Sequence, residues 1–137
     1  MSNDDRGPLL TAHLHEARRT AFAWGARDCS LFVAEWVRSQ RGADPAAVWR
    51  GHYRTELGAA RKVTRAGGLV AVFAAALEPI GLERTEAPVT GDVGVILAST
   101  PRGLRPAGAI LAGRRWVTRG KTGIVALEVE PLAAWRV

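Results

Sequence analysis

Thiol and imidazole groups are scarce in this chain. It has one cysteine, Cys29, and three histidines, His13, His15 and His52, so no imidazole follows position 52. A lone cysteine excludes an internal disulfide and any cysteine-rich zinc site. Long apolar runs are missing as well. The longest, Leu69 to Leu77, is one core helix in size, well short of the roughly 18–20 residues that span a bilayer. The opening Met1-Ser2-Asn3-Asp4-Asp5 is polar and acidic, unlike a secretory signal peptide. These gaps lead us to expect synthesis in the cytoplasm, no membrane insertion, and neither a metal nor an organic cofactor.

Acidic residues are absent between Asp92 and Glu128, whereas Arg102, Arg105, Arg114, Arg115, Arg119 and Lys121 all lie there. The net charge is +6, carried by 17 arginines and two lysines. Such a face suits an acidic protein, an anionic wall polymer or nucleic acid. Trp116 is the only aromatic among these cations and no nucleic-acid-binding motif accompanies them, so direct nucleic-acid binding is not the expectation.

With 137 residues, 47% of them hydrophobic, the chain reads as a single domain spanning 1–137. In the first part (1–21), Pro8 suits a first helical position, and Leu10, Leu14, Ala17 and Ala21 form a stripe. The second part (22–81) holds a helix from Cys29 to about Gln40, before Gly42. A short helix from Asp44-Pro45 to Trp49 follows, then one opened by Thr55 and ended by Gly67-Gly68, then Leu69 to Leu77. Strand signals fill 91–137: Asp92–Ala98, Ala107–Ala112, Arg115–Thr118, Gly123–Leu127 and Ala134–Val137. Helices followed by a meander give an α+β domain. We expect an antiparallel sheet of four or five strands with the Cys29 helix packed on it, the small residues Gly94 and Ala107–Ala112 allowing close approach. Trp49, Trp116 and Trp135 read as core aromatics.

Chemistry concentrates at Trp24-Gly25-Ala26-Arg27-Asp28-Cys29. Asp28 is a good N-cap, Gly25 supplies the preceding turn, and Phe32, Val33, Trp36 and Val37 continue an apolar stripe from Cys29. A thiol at a helix start faces unpaired amides and the positive dipole end, and Arg27 adds a cation. All three favour thiolate. The plainer reading is a buried cysteine acting as a small hydrophobe. His13 and His15 are not spaced as an i, i+4 metal pair and read as surface residues.

The order of these parts resembles the NlpC-type papain-like cysteine peptidases. Asp28-Cys29-Ser30-Leu31-Phe32-Val33 is similar to their Asp-Cys-Ser-Gly-Phe-Val motif, and Gly91-Asp92-Val93 to their Gly-Asp-Leu strand. Pro106-Ala107-Gly108-Ala109-Ile110 stands where that family has His-Val-Gly-Ile-Tyr, and Gly113–Val117 resembles the hairpin that follows. A phage and prophage branch looks nearest, through Trp24-Gly25, Gly51-His52-Tyr53-Arg54-Thr55 and the closing Ala134-Trp135-Arg136-Val137. The resemblance covers 22–137. It implies a papain-like fold and a component of the tail tip of a long-tailed phage or gene transfer agent, assembled with hub proteins near peptidoglycan and carried in the particle.

The family's catalytic base falls on Pro106, or on Ala107 if the register slips, and neither can carry a proton. Two readings follow. In one the chain is a catalytically degenerate tail protein. In the other it is a peptidoglycan endopeptidase or amidase with Cys29 as nucleophile and an unusual base, for which His52 is the candidate. Trp24, Arg27, Asp28 and Asp92 are the expected surround of the site in both.

Overall fold

Asp28 and Gly42 set the limits of the central helix, α2 (Cys29–Arg41). The Asp28 side chain accepts the Leu31 amide, and Gly42 closes the helix in the left-handed region at φ 76°. The computed structural model describes residues 3–137, with side chains from residue 6 onward, so Met1 and Ser2 lie outside the described residues. Helix α1 (Asn3–Arg19) precedes it. Pro8 is inside α1, not at its start. It forfeits one backbone hydrogen bond near the helix end, in a segment held by the buried Arg6.

Helix α3 (Glu56–Arg65) is capped by Thr55, whose hydroxyl accepts the Gly58 amide at 3.0 Å. Helix α4 (Leu69–Leu77) runs into a 3₁₀ turn, Glu78–Ile80, that ends at Gly81. The helix expected from Asp44 to Trp49 is instead a run of turns. Asp44 does accept the Ala46 amide at 3.1 Å, but Gly51 at φ 74° reverses the chain before a second turn can form.

The sheet has six strands, not four or five: β1 (Glu83–Arg84), β2 (Val93–Thr100), β3 (Gly103–Ala112), β4 (Arg115–Gly120), β5 (Gly123–Leu127) and β6 (Ala133–Arg136). Their order is β1-β6-β2-β3-β4-β5, and every pairing is antiparallel. The unforeseen strand is β1, two charged residues paired with the last strand, too short to show a period. β2 and β3 also extend beyond their expected limits into a hairpin arm whose far end, with Leu97 and Leu104, is exposed.

The inner face of the sheet carries Val93, Val95, Ile110, Val117 and Trp135 against Phe32, Val33, Trp36 and Val37 of α2 and Val72, Phe73 and Leu77 of α4. The outer face has a smaller cluster of Ile96, Ala109, Leu111, Trp116 and Ala134. Both faces are thus covered where β2 begins, so Val93 to Ile96 are all buried. Of the small residues expected to admit a helix, Gly94 does another job. Its missing Cβ makes room on the outer face for the Trp116 ring and the Ala133 carbonyl. Gly108 is the one that admits α2 and α4: a Cβ there would stand 2.7 Å from Phe73 and 3.2 Å from the Cys29 carbonyl oxygen. No single helix among the described residues is long and apolar enough to cross a membrane.

Candidate functional site

A buried carboxylate organises the start of α2. Asp28 is 1% exposed, and both its oxygens accept hydrogen bonds. Oδ1 accepts the Leu31 amide at 3.0 Å; Oδ2 accepts the Gly25 amide at 2.9 Å and the Tyr53 hydroxyl at 2.5 Å. The Gly51 amide donates to the Gly25 carbonyl at 2.9 Å. The loop 49–53 is thereby tied to the turn that presents Cys29. This contact requires glycine at position 25, whose φ is 78° and whose missing Cβ leaves space for the Tyr53 carbonyl.

Across from this turn, β3 passes the cysteine at Gly108. Leu111 exchanges hydrogen bonds with the segment leading into β2, donating to the Asp92 carbonyl and accepting from Gly91. The peptides of odd residues in β3 therefore face β2, and those of even residues face β4. The β3–β4 ladder ends at Ile110↔Val117, so the Gly108 peptide has no backbone partner there. The Thr118 hydroxyl takes its carbonyl at 2.7 Å, and its N–H acts on the Cys29 thiol in the direction that favours thiolate. Side chains on one face alternate along a strand, so Pro106 shares the inner face with Gly108. It is exposed at the rim of the site.

This setting disfavours the thiolate, although Cys29 as a whole is only half-buried. Burial pushes the Cys29 thiol above its ordinary value, and the Asp28 charge pushes the same way, outweighing the opposing influence of Gly108 and Ser30. This reverses the expectation of a stabilised thiolate, for two physical reasons. The Leu31 amide that the helix start would offer is already taken by Asp28. Arg27 points away, its guanidinium donating to the Ala21 carbonyl at 2.7 Å.

None of the three histidine rings is bonded to the sulfur. His13 donates through Nε2 to the Phe32 carbonyl (2.9 Å) and stacks on the Phe32 ring at 5.2 Å; burial lowers its pKa. It is an interior contact of α1 with α2, not the surface residue expected. His15 is exposed. The His52 amide bonds the Trp49 carbonyl, and its side chain is exposed in the loop. Among the described residues no histidine ring hydrogen-bonds the sulfur or figures among the influences on it.

The remaining expected residues divide. Trp24 sits edge-on to Phe22, with the Lys121 ammonium 5.9 Å from its ring. Asp92 lies toward the opposite end of α2, where Trp36 donates to the neighbouring Gly91 carbonyl at 2.7 Å. Trp36 is seven steps along the helix from Cys29, a rise of about 10 Å. There Asp92 accepts the Val89 and Val137 amides and pairs with Arg6 and Arg136. Sequence reasoning placed Tyr53 in a motif without seeing that it closes on Asp28, gave no part to the Gly108 peptide, and counted Arg119 in the basic face. Arg119 is buried and bound to Thr20, which removes it from the basic face. No cluster of three metal-ligating side chains occurs among the described residues.

Tyr53 is the chain's only tyrosine, so its ionisation can be read alone. Burial, followed by the Asp28 charge, holds its pKa well above the usual phenol value. The folded state keeps this proton while the unfolded chain releases it at about pH 10. Stability is therefore complete below that pH and falls as pH rises through it. Ultraviolet titration is expected to show no phenolate step near pH 10 in folded protein and a normal step in denaturant. Tyr53→Phe should abolish the denatured step and cost about 1–3 kcal/mol, from the loss of a buried, charge-assisted hydrogen bond. A folded-state step near pH 10 would contradict the Asp28 contact.

No curated protein and no solved structure matches the chain. Its whole length from residue 2 to residue 137 does match one family, and the chain belongs to it: the domain of unknown function DUF6950.

Proposed function

We propose that this protein is a structural or assembly component of a phage-like tail tip, built on an NlpC-type papain-like body that has lost its proton-transfer residue. The observation that carries the reading is the inner-face position 106. It stands two residues before Gly108, the residue opposite the cysteine, and it is a proline. With burial raising the thiol's pKa and no imidazole bonded to the sulfur, hydrolysis would lack both a base and the acid that protonates a leaving amine. Such help is typically worth about 10²–10⁴-fold.

The tail-tip setting rests on the resemblance of Gly51–Thr55 and Ala134–Val137 to the phage branch. In this fold both segments hold the body together: Tyr53 binds Asp28, Thr55 caps α3, and the Trp135 indole donates to Glu78 at 3.0 Å. The partners we propose are other tail-tip and hub proteins, met by the exposed Arg102, Arg105, Arg114 and Arg115, with peptidoglycan as a further neighbour and the virion as destination.

The test is the pH dependence of Cys29 alkylation alongside digestion of muropeptides. We expect a midpoint above the ordinary thiol value of about 8.5 and no cleavage by either the natural chain or Cys29→Ala. Pro106→His is expected to speed alkylation at neutral pH. A midpoint below about 7, with cleavage that Cys29→Ala abolishes, would establish the hydrolase instead. Absence of the chain from purified phage-like particles of the producing cell would overturn the tail assignment.

A further inference from the structure

The two edges of the sheet are built differently. One edge, β1, is two residues long and both are charged, the usual protection against stray pairing. The other, β5, is Gly123-Ile124-Val125-Ala126-Leu127: no charge, no proline, regular pairing with β4 along its length, and Gly123, Val125 and Ala126 exposed. We infer that β5 pairs edge to edge with β5 of a second copy of this chain, antiparallel about a two-fold axis at Val125.

The backbone fixes this register. Even residues of β3 face β4, and Ile110 pairs with Val117; the alternation then turns the peptides of Gly123, Val125 and Leu127 toward β4 and those of Ile124 and Ala126 outward. About an axis at Val125, Ile124 of one copy meets Ala126 of the other, and the two residues exchange both hydrogen bonds. Symmetry repeats the exchange. Leu127 then lies opposite Gly123, the largest side chain against the position without one. Side chains on the outer face place Val125 directly against its symmetry mate, and Val125 is 43% exposed in the single chain.

Charge selects a second copy as the occupant. Glu128 and Glu130 are the only acidic residues after Asp92, both are exposed, and they follow β5 directly. In the antiparallel pairing the β4–β5 turn of one copy, with Lys121, lies beside this acidic segment of the other. The pair forms twice. Lys121 now meets Glu56 at 3.4 Å, with both side chains about half exposed, and a contact of that kind is weak enough to exchange.

Sedimentation of the full chain from about 1 µM to about 1 mM, the Kd range of modest contacts, is expected to show a reversible twofold rise in mass. Val125→Lys opposes two like charges on an exposed position and should keep the mass monomeric throughout. Ala126→Pro removes an outward amide that the fold does not use and should do the same, while a charge reversal at Glu128 and Glu130 should weaken association at low salt. Circular dichroism of each variant confirms folding, and Val125→Lys alone decides should the proline variant not fold. A monomer at every concentration, or a dimer that survives these substitutions, would overturn the pairing.

Discussion

Gly25→Ala is expected to destabilise the protein by about 3 kcal/mol or more, because two penalties coincide. A non-glycine residue at φ 78° costs about 1–2 kcal/mol by itself. The added Cβ would also overlap the Tyr53 carbonyl oxygen, a backbone atom that cannot swing aside. Relief requires the loop 49–53 to withdraw, and the Tyr53 hydroxyl would leave Asp28 with it. Gly42→Ala separates the two terms: its φ is 76°, yet a Cβ there meets nothing within 4 Å. Urea unfolding should place Gly42→Ala near the backbone cost alone and Gly25→Ala well beyond it. Equal losses at the two sites would mean that the loop contact adds nothing.

Asp92→Ala is the second large effect, expected at about 3–5 kcal/mol, the cost of removing one partner of a buried ion pair. Asp92 is 0% exposed and Arg6 8%. The carboxylate accepts the Val89 and Val137 amides at 2.9 and 3.1 Å and lies 3.3 Å from the Arg6 guanidinium. Alanine would leave a buried cation and two amides without this acceptor. The double variant Arg6→Met, Asp92→Ala should recover part of the loss, since it removes the stranded charge. If thermal unfolding finds Asp92→Ala within about 1 kcal/mol of the natural chain, below the usual cost of an orphaned charge, the clasp is not structural.

Elements with a strong local signal were legible in the sequence. Asp28 and Gly42 bracket α2, Thr55 caps α3, and Gly123–Leu127 coincides with β5. The sheet's sixth strand was not, because Glu83-Arg84 becomes a strand only by lying beside Trp135-Arg136, some fifty residues further on. The candidate site was half legible. Cys29 at a helix start can be read from spacing, and Pro106 draws notice only through the family resemblance, but the sign of the thiol's pKa shift can be read from neither. It depends on which side chain takes the Leu31 amide, where Arg27 turns, and how far β3 and α2 bury the sulfur. Tyr53 and Thr118 act through contacts 25 and 10 residues away, which no local period encodes.

The Asp92 clasp has a kinetic side. Arg6 in the first helix also donates to the Val137 carbonyl, and Val137 in turn donates to Asp92, so one carboxylate gathers three regions that are remote along the chain. Closing a loop of that size is entropically unfavourable until the strands between have assembled, which makes the clasp a late event in folding. Its loss should therefore fall on the unfolding arm of a chevron plot, with the refolding arm almost unmoved. The clasp would then serve as a latch on the lifetime of the finished structure and have little influence on how quickly that structure forms.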